Sequence, residues 1–285
     1  MAESTSTASP KIRNYNGNCH CGAVKFTFNG PKILTAFECN CSICFKKGYK
    51  HFFPGPGDLT NIRGEDVLKD YEFAGKTMLH RFCPTCGTPV MGKKHSAPPG
   101  RDISINIRTL NDVDIWALPV KKFDGKSIEP YYQPTPFTGP DPTADIENSK
   151  TYTGGCHCGN VTMALNTQGP LPCGHEYIQE CDCSICMRNG TILAYPKTAQ
   201  VSISFKEAPR VYLFGRMFQE HTFCGICGVS VYLKRIPGSY DTANYPDWER
   251  KTPVNLRCLE EVEWEKAEVK KGDWKTKGVE YVVPA

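Results

Sequence analysis

Cysteine is the residue type whose number and spacing in this sequence point to chemistry. The chain has 16 cysteines in 285 residues, and most of them stand in short Cys-x-Cys and Cys-x-x-Cys clusters. A chain of this length can bury a core of its own, so disulfide bridges are not needed to hold it together. Closely spaced cysteines in such a chain are typical of zinc ligands. Disulfides and iron–sulfur clusters are the alternatives, and a bridge within Cys-x-Cys would be strained.

The cysteine clusters occur twice in the same order, together with the residues around them. The paired segments are NGNCHCGAV (16–24) and TGGCHCGNV (153–161), CNCSICFKKG (39–48) and CDCSICMRNG (181–190), YEFAGKTMLHRFCPTCGTPV (71–90) and YLFGRMFQEHTFCGICGVSV (212–231), INIRTLNDV (105–113) and VNLRCLEEV (254–262), and VKKFDGKS (120–127) and VKKGDWKT (269–276). The offset between the copies changes from 137 to 142, 141 and 149 residues, because the second copy has five extra residues before its second motif, one fewer before its third and eight extra after its third. We interpret the chain as a tandem duplication, with a first domain at 12–138, a polar linker at 139–150 and a second domain at 151–285.

Short strands dominate the predicted secondary structure of both copies. Apolar and polar residues alternate at 23–28, 161–165 and 201–205, as they do in half-buried strands. The 25 glycines and 22 prolines are spread along the chain, which favours many short strands over long helices. Short helical turns are expected after Cys44 and Cys186. The fold is therefore predicted to be mainly β.

The seven clustered cysteines of each copy can be divided into a group of four and a group of three. A structural zinc takes four ligands, whereas a catalytic zinc takes three and keeps one position open. The Cys-x-x-Cys and Cys-x-Cys pairs together supply four sulfurs, provided that the chain bends enough to bring sulfurs to about 3.8 Å from each other. The remaining Cys-x-Cys-x-x-Cys triple would hold a second ion with an open position. The spacing alone leaves two alternatives: the Cys-x-x-Cys pair joins two cysteines of the triple, or both ions are purely structural.

Composition and charge limit the classes of partner. Apolar residues make up 40% of the chain and charged residues 22%, as in an ordinary globular protein. The formal net charge is +4, and 14 thiolates with four zinc ions would bring it to about −2, so charge gives no basis for nucleic-acid binding. No apolar run has the ~20 residues of a membrane span, and residues 1–10 show no apolar signal segment. We expect a cytoplasmic protein with small-molecule partners.

The sequence contains the motifs G-x-C-H-C-G, C-x-C-S-x-C and F-C-x-x-C-G. These motifs resemble those of the glutathione-dependent formaldehyde-activating enzyme family, whose domain is shared with centromere protein V. They stand at 17–22, 39–44 and 82–87 and again at 154–159, 181–186 and 223–228. The resemblance covers both copies and hence most of the chain. It implies two tandem β-tent domains of small antiparallel sheets, each holding two zinc ions, which gives four Zn²⁺ per chain. The tandem arrangement departs from the usual single domain of the family.

The resemblance also implies which cysteines hold which ion. We call the four ligands of each structural zinc a quartet, and these are Cys19, Cys21, Cys83 and Cys86 in the first copy and Cys156, Cys158, Cys224 and Cys227 in the second. We call the three ligands of each open, catalytic zinc a trio, and these are Cys39, Cys41 and Cys44, and Cys181, Cys183 and Cys186. The implied activity is of the carbon–sulfur lyase class: glutathione adds to formaldehyde and gives S-hydroxymethylglutathione.

Basic residues near the trios are candidates for binding the carboxylates of such a thiol. Lys46 and Arg188 follow the trios closely, and Arg108 and Arg257 occupy one repeated position. Solvated surface charge is the alternative for Lys46 and Arg188. Local structural pairing is the alternative for the repeated arginines.

Histidines recur at two positions of the repeat. His20 and His157 lie inside the Cys-x-Cys pairs, and His80 and His221 precede the Cys-x-x-Cys pairs by three residues. Alternation along an extended chain directs His20 away from Cys19 and Cys21, which disfavours ligation. A hydrogen-bonding role and acid–base work near zinc are both open.

Two cysteines stand outside the repeated pattern. Cys258 replaces Thr109 of the first copy and is expected to be a small buried side chain. Cys173, with His175 nearby, lies in the extra residues before the second trio and could close its zinc site. In that case the second copy would have no open position.

These residues support two classes of function. The first is a zinc enzyme acting on the adduct of a thiol, with glutathione favoured, and an aldehyde or related electrophile. Three thiolates weaken the Lewis acidity of the ion, which favours binding or releasing a thiolate. The second is a non-catalytic, zinc-stabilised binding module, as suggested for centromere protein V relatives. The enzyme predicts a pocket at the open zinc, whereas the binding module predicts closed metal sites.

Overall fold

The fold is known from a computed structural model that describes residues 12–98, 100–128, 132–171, 177–239, 246–277 and 279–285. The elements of the first half are β1 (Arg13–Asn18), β2 (Lys25–Gly30), β3 (Ala36–Cys39), α1 (Ser42–Lys46), β4 (His51–Phe52), β5 (Leu59–Arg63), β6 (Lys69–Tyr71), β7 (Met78–Phe82), β8 (Pro89–Lys94), β9 (Ile103–Asn106) and β10 (Val120–Phe123). Those of the second half are β11 (Ser149–Gly155), β12 (Val161–Gln168), β13 (Ile178–Cys181), α2 (Ser184–Asn189), β14 (Ile192–Ala194), β15 (Val201–Phe205), β16 (Arg210–Tyr212), β17 (Gln219–Phe223), β18 (Ser230–Arg235), α3 (Pro246–Glu249), β19 (Val254–Asn255) and β20 (Lys270–Gly272).

Each half forms one three-stranded and one seven-stranded sheet. The orders are β1-β2-β5 and β10-β3-β4-β9-β8-β7-β6 in the first half, and β11-β12-β15 and β20-β13-β14-β19-β18-β17-β16 in the second. Neighbouring strands are antiparallel, except that β10 and β20 run parallel to β3 and β13. The prediction of a mainly β fold is confirmed, and the same pair of sheets occurs in both halves. The boundaries given above for the domains and the linker stay predictions.

Alternating burial explains why these segments form strands. In β2, Phe26, Phe28 and Gly30 are buried and the intervening residues are half-buried. The inner faces of the first half pack around residues such as Phe28 and Ile105. The core of the second half also includes Ile43 and Tyr49 from the first half, so hydrophobic burial joins the two halves.

The two short helices, α1 and α2, start earlier than predicted and contain the last cysteine of each trio. Cys41 and Cys183 are the N-cap residues, and residues three apart on a helix lie on one face, so Cys44 returns beside Cys41. Both helices are followed by left-handed glycines, Gly48 (φ 57°) and Gly190 (φ 59°), which contact each other between the two halves. A Cβ on Gly48 would lie 2.4 Å from the carbonyl oxygen of Gly190.

No helix in the part of the chain that the structure describes has the length and apolar character that a bilayer-spanning helix needs.

Candidate metal centres and the cavity at the second trio

The two quartets bring their sulfur atoms together at the end of the first strand of each half. Each Cys-x-Cys pair lies in the turn that follows β1 or β11, and each Cys-x-x-Cys pair lies between the two strands of a hairpin, β7–β8 or β17–β18. The four sulfurs of each quartet lie within 4.8 Å of one another. Cys21 Sγ is 3.6 Å from the sulfurs of Cys19 and Cys83, and Cys158 Sγ is 3.7 and 3.5 Å from those of Cys156 and Cys224.

These separations fit a tetrahedral zinc ion and do not fit disulfides. Sulfurs that share one zinc lie about 3.8 Å apart, whereas a disulfide bond is about 2.05 Å long. All 15 cysteines of the described residues are free thiols. Backbone amides also donate to the sulfurs, as from Val24 to Cys19 and from Val161 to Cys156, both at 3.2 Å. Such donors stabilise thiolates, which are the form that binds metal.

Each trio forms a compact group of three sulfurs within 4.8 Å of one another. The amide of Cys41 donates to Cys39 Sγ at 3.4 Å, and the amide of Cys183 donates to Cys181 Sγ at 3.3 Å. His51 Nε2 lies 3.4 Å from Cys44 Sγ, where it can hydrogen-bond to the sulfur, but it does not belong to the compact group. The residue at the corresponding position of the second copy is Leu193. The two trios therefore differ in their surroundings.

The histidine inside each Cys-x-Cys pair reaches across to the trio of the other half. His20 Nε2 is 2.8 Å from Ser184 Oγ, and Ser184 is the first residue of α2. His157 Nε2 is likewise 2.8 Å from Ser42 Oγ, the first residue of α1. The other ring nitrogens hydrogen-bond with tyrosine hydroxyls, His20 with Tyr212 at 2.9 Å and His157 with Tyr71 at 2.7 Å. Each serine lies between two trio cysteines, so each trio is held in place partly by the opposite half.

Aromatic rings enclose both of these histidines. The ring centroid of His20 is 4.3 Å from that of Phe214 and 4.5 Å from that of Tyr281, whose hydroxyl donates to the His20 carbonyl. His157 has the equivalent residues of the other copy, Phe73 and Tyr132, as its neighbours, and the hydroxyl of Tyr132 donates to the His157 carbonyl. Burial, with a smaller effect of the Arg188 guanidinium, lowers the pKa of His20 to about 3. Burial, with a smaller effect of Lys46, also lowers the pKa of His157 to about 3. A neutral imidazole offers one donor and one acceptor, which suits two hydroxyl partners.

The four basic residues expected to bind substrate carboxylates have protein partners between the halves. Lys46 Nζ donates to Glu260 at 2.8 Å and to the carbonyls of Gly155 and Cys258. Arg188, at the equivalent position, donates to Asn18 and Asn111. These two side chains are buried rather than solvated.

The repeated arginines also join the halves. Arg108 donates to the carbonyl of Gly48 at 2.8 Å and pairs with Glu180 at 3.0 Å. Arg257 donates to the carbonyl of Gly190 in its own half at 2.8 Å and to the carbonyl of Phe45 in the first half at 3.4 Å. All four basic residues thus have hydrogen-bond partners within the protein, and their binding of substrate carboxylates stays a prediction.

The remaining candidates are placed as follows. Cys258 is buried, as expected for a small side chain in the core. His80 and His221 are buried on β7 and β17, and burial lowers the pKa of His221 to about 4. Cys173 and His175 lie outside the described residues.

A cavity of about 1980 Å³ opens at the second trio. Its walls include Cys181, Cys183 and Cys186, and also His20 from the first half. Tyr212, Phe214 and His221 line it as well. A cavity lined by three cysteines that could hold a metal ion is a place where a small molecule could reach such an ion.

Sequence reasoning missed the serines and aromatic residues that surround the histidines. These residues are Ser42 and Ser184, Tyr71 and Tyr212, Phe73 and Phe214, and Tyr132 and Tyr281. The signal that could have found them is identity between the copies, because each pair has the same residue at the same place in the repeat. Their contacts with a histidine of the other half could not be read from that identity.

Similar proteins are known for part of the chain. Residues 14–123 match the family model described as glutathione-dependent formaldehyde-activating enzyme. Over 80 residues, 25% of this chain and 51% of the relative, the chain is 34% identical to a Halomonas elongata protein named as a putative enzyme of this kind. The chain thus spans about half the length of that relative. The chain is also similar to a Rhodobacter sphaeroides protein of known crystal structure, with 28% sequence identity and a TM-score of 0.33. The match covers 42% of this chain and 98% of the Rhodobacter chain.

Proposed function

We propose, from the premise that residues 14–123 belong to the glutathione-dependent formaldehyde-activating enzyme family, that this chain is a zinc enzyme that adds a thiol to an aldehyde. Glutathione is the thiol and formaldehyde the aldehyde that the family name supplies. The reaction belongs to the carbon–sulfur lyase class, since the adduct can also be split. Two quartets and two trios would hold four zinc ions per chain.

One observation carries this proposal. Each trio gathers three sulfurs, and no fourth cysteine, histidine or carboxylate joins the group within the described residues. Each quartet, by contrast, has the four sulfurs of a closed structural site. A set of three protein ligands is typical of catalytic zinc, where the remaining position takes water or substrate. The cavity at the second trio gives a substrate access to that position.

The reaction needs a nucleophilic thiolate next to a carbonyl carbon. A zinc ion on a trio would supply this by lowering the pKa of an added thiol. The chain's own residues shape the site: His20 hydrogen-bonds with Ser184 at the start of α2, and the rings of Tyr212 and Phe214 line the cavity where the reactants would meet. The thiol sulfur bonds to the carbonyl carbon, the C=O π bond opens, and the thiol proton ends on the oxygen.

Cobalt substitution tests the open position directly. We expect four Co²⁺ per chain, and we expect millimolar glutathione to change the thiolate-to-cobalt absorption of the trio ions while the quartet ions are unaffected. Turnover of glutathione with formaldehyde is then measured on the zinc form. A cobalt spectrum that glutathione leaves unchanged would mean closed metal sites, and the binding-module function would replace the enzyme.

Two cysteine substitutions separate the quartet from the trio. Cys83→Ser is expected to unfold the first half, since a structural zinc contributes on the order of 10 kcal/mol to folding in small peptides. Cys41→Ser is expected to keep the fold and to lose one metal equivalent. Circular dichroism and metal analysis measure both effects. If both variants merely unfold, the division into structural and open sites is wrong.

A further inference from the structure

The second copy has aromatic residues near its trio that the first copy lacks. Trp248 lies on α3, in the connection that is eight residues longer in the second copy. Trp274 stands where the first copy has Gly125. A Cβ on Gly125 would lie 2.3 Å from Cys39 Sγ, so the first copy has no space for a side chain there. The duplication has therefore diverged at the trio.

These aromatic residues form part of the wall of the cavity. Trp248 and Trp274 pack edge to face with ring centroids 5.6 Å apart, and both line the cavity together with Tyr177. The guanidinium carbon of Arg235 lies 4.5 Å from the Trp248 centroid. Trp274 and Tyr177 remain 37% and 48% exposed, so the fold leaves much of their aromatic surface uncovered. Exposed aromatic rings in a concave site provide stacking surfaces for a ligand.

Size and charge narrow the class of ligand. Small-molecule sites usually measure about 300–1,000 Å³, and this cavity of about 1980 Å³ is larger. The adduct of glutathione with formaldehyde adds only one carbon to the thiol and has no ring to stack on the aromatic wall. Apart from Arg108 and Arg188, which bind protein groups, five lysines and arginines line the cavity against four acidic residues, so the lining can accept an anionic ligand such as glutathione.

From this wall we infer that the second trio takes an anionic thiol, such as glutathione, joined to an aromatic aldehyde, and that Trp248 and Trp274 bind the aromatic ring. The inference rests on the proposed function and names its substrate class for the second copy. The chemistry needs no oxidant. The thiol S–H adds across the aldehyde C=O: the S–H bond and the C=O π bond break, an S–C bond forms, and the proton moves from sulfur to oxygen to give the hydroxyl of a hemithioacetal.

Stable conjugates test the inference on the full, zinc-loaded chain. S-benzylglutathione carries the aromatic ring and S-methylglutathione does not, and neither reacts further. Three of the four tryptophans, at 116, 248 and 274, line the cavity, so intrinsic fluorescence reports on its occupation. We expect the benzyl conjugate to bind at least about tenfold more tightly than the methyl conjugate, as one or two aromatic contacts of ordinary strength provide.

Two variants locate the effect. Trp274→Gly restores the residue of the first copy, and Trp248→Leu removes the other ring by a different change. Each is expected to reduce the preference for the benzyl conjugate several-fold, with circular dichroism as the check on folding. Trp264→Phe is the matched control, because Trp264 packs against Phe45 and does not line the cavity. It should leave the preference unchanged.

The outcomes distinguish the inference from the proposed function. Equal affinity for the two conjugates, or a preference that survives in both tryptophan variants, would overturn the inference. If glutathione still changes the cobalt spectrum in that case, the proposed function stands. If glutathione leaves the spectrum unchanged, the proposed function fails as well.

Discussion

At the scale of single residues, the histidine between two quartet cysteines has a role that its neighbours in sequence do not reveal. His20 does not belong to the group of ligands that includes Cys19 and Cys21. Its two ring nitrogens instead hydrogen-bond with Ser184 and Tyr212 of the other half. Burial keeps its imidazole neutral, so it can donate to one hydroxyl and accept from the other. Of the two roles left open by the sequence, this geometry favours hydrogen bonding.

Removing His20 should destabilise the protein measurably. In His20→Ala, the hydroxyls of Ser184 and Tyr212 lose a buried partner, and an unsatisfied buried group costs about 1–3 kcal/mol. His95→Ala is the control, since His95 is exposed and pairs only with Glu72 at the surface. Urea unfolding of both variants measures the difference. An effect of His20→Ala as small as that of His95→Ala would contradict the bridging role.

At the scale of elements, α1 and α2 do two things at once. Their first turns carry the trio cysteines, and their C-terminal glycines meet between the halves. Lys46 in α1 and Arg188 in α2 bind groups of the opposite half at equivalent places. Helices of five and six residues are not stable in isolation, so contacts with the rest of the protein must stabilise α1 and α2.

The meeting of the two helix ends predicts a large effect for one methyl group. Gly48→Ala places a Cβ in a left-handed backbone and 2.4 Å from the Gly190 carbonyl oxygen, so strain and a steric clash add. We expect a loss of about 2–4 kcal/mol in the free energy of unfolding. Gly57→Ala is the matched control, because Gly57 is also left-handed (φ 80°) but a Cβ there would have no atom within 4 Å. It should lose only about 1 kcal/mol. Equal losses in the two variants would show that the helix ends are not in contact.

At the scale of the whole molecule, the two halves interlock rather than sit side by side. The C-terminal segment of each half reaches the other half: the hydroxyl of Tyr132 donates to the carbonyl of His157, and that of Tyr281 donates to the carbonyl of His20. The core of the second half includes Ile43 and Tyr49 from the first. Both trios therefore depend on the joined pair.

Cutting the chain between the halves should not separate them. A protease site inserted after Asp141 lies in the polar connection before β11, away from these contacts. We expect the cleaved fragments to elute together in size-exclusion chromatography and to keep their metal, because burial and hydrogen bonds hold the halves without a covalent link. Fragments that elute separately under native conditions would refute the interlocked arrangement.

Sequence and structure contributed differently to this picture. The strands and the repeat could be predicted because alternation, glycine and proline positions and internal identity depend only on neighbouring residues or on comparison within the chain. The helices were predicted a few residues late, since a Cys-x-x-Cys spacing does not say where a turn begins. The burial of Lys46 and Arg188 could not be predicted from the sequence. A basic residue that follows a cysteine motif has the same sequence neighbours whether it is buried or exposed.

The sequence by itself determined the β-rich character of this protein, its duplication and the supply of sulfur ligands, all of which are local or repeated properties. Only the tertiary structure decided that the histidine of each half hydrogen-bonds with the serine beside the trio of the other half. His20 and Ser184 are 164 residues apart in sequence and touch because two similar halves pack against each other about their helix ends. It also decided that a cavity opens at the second trio, where Trp248 and Trp274, from separate segments of the chain, come together in its wall.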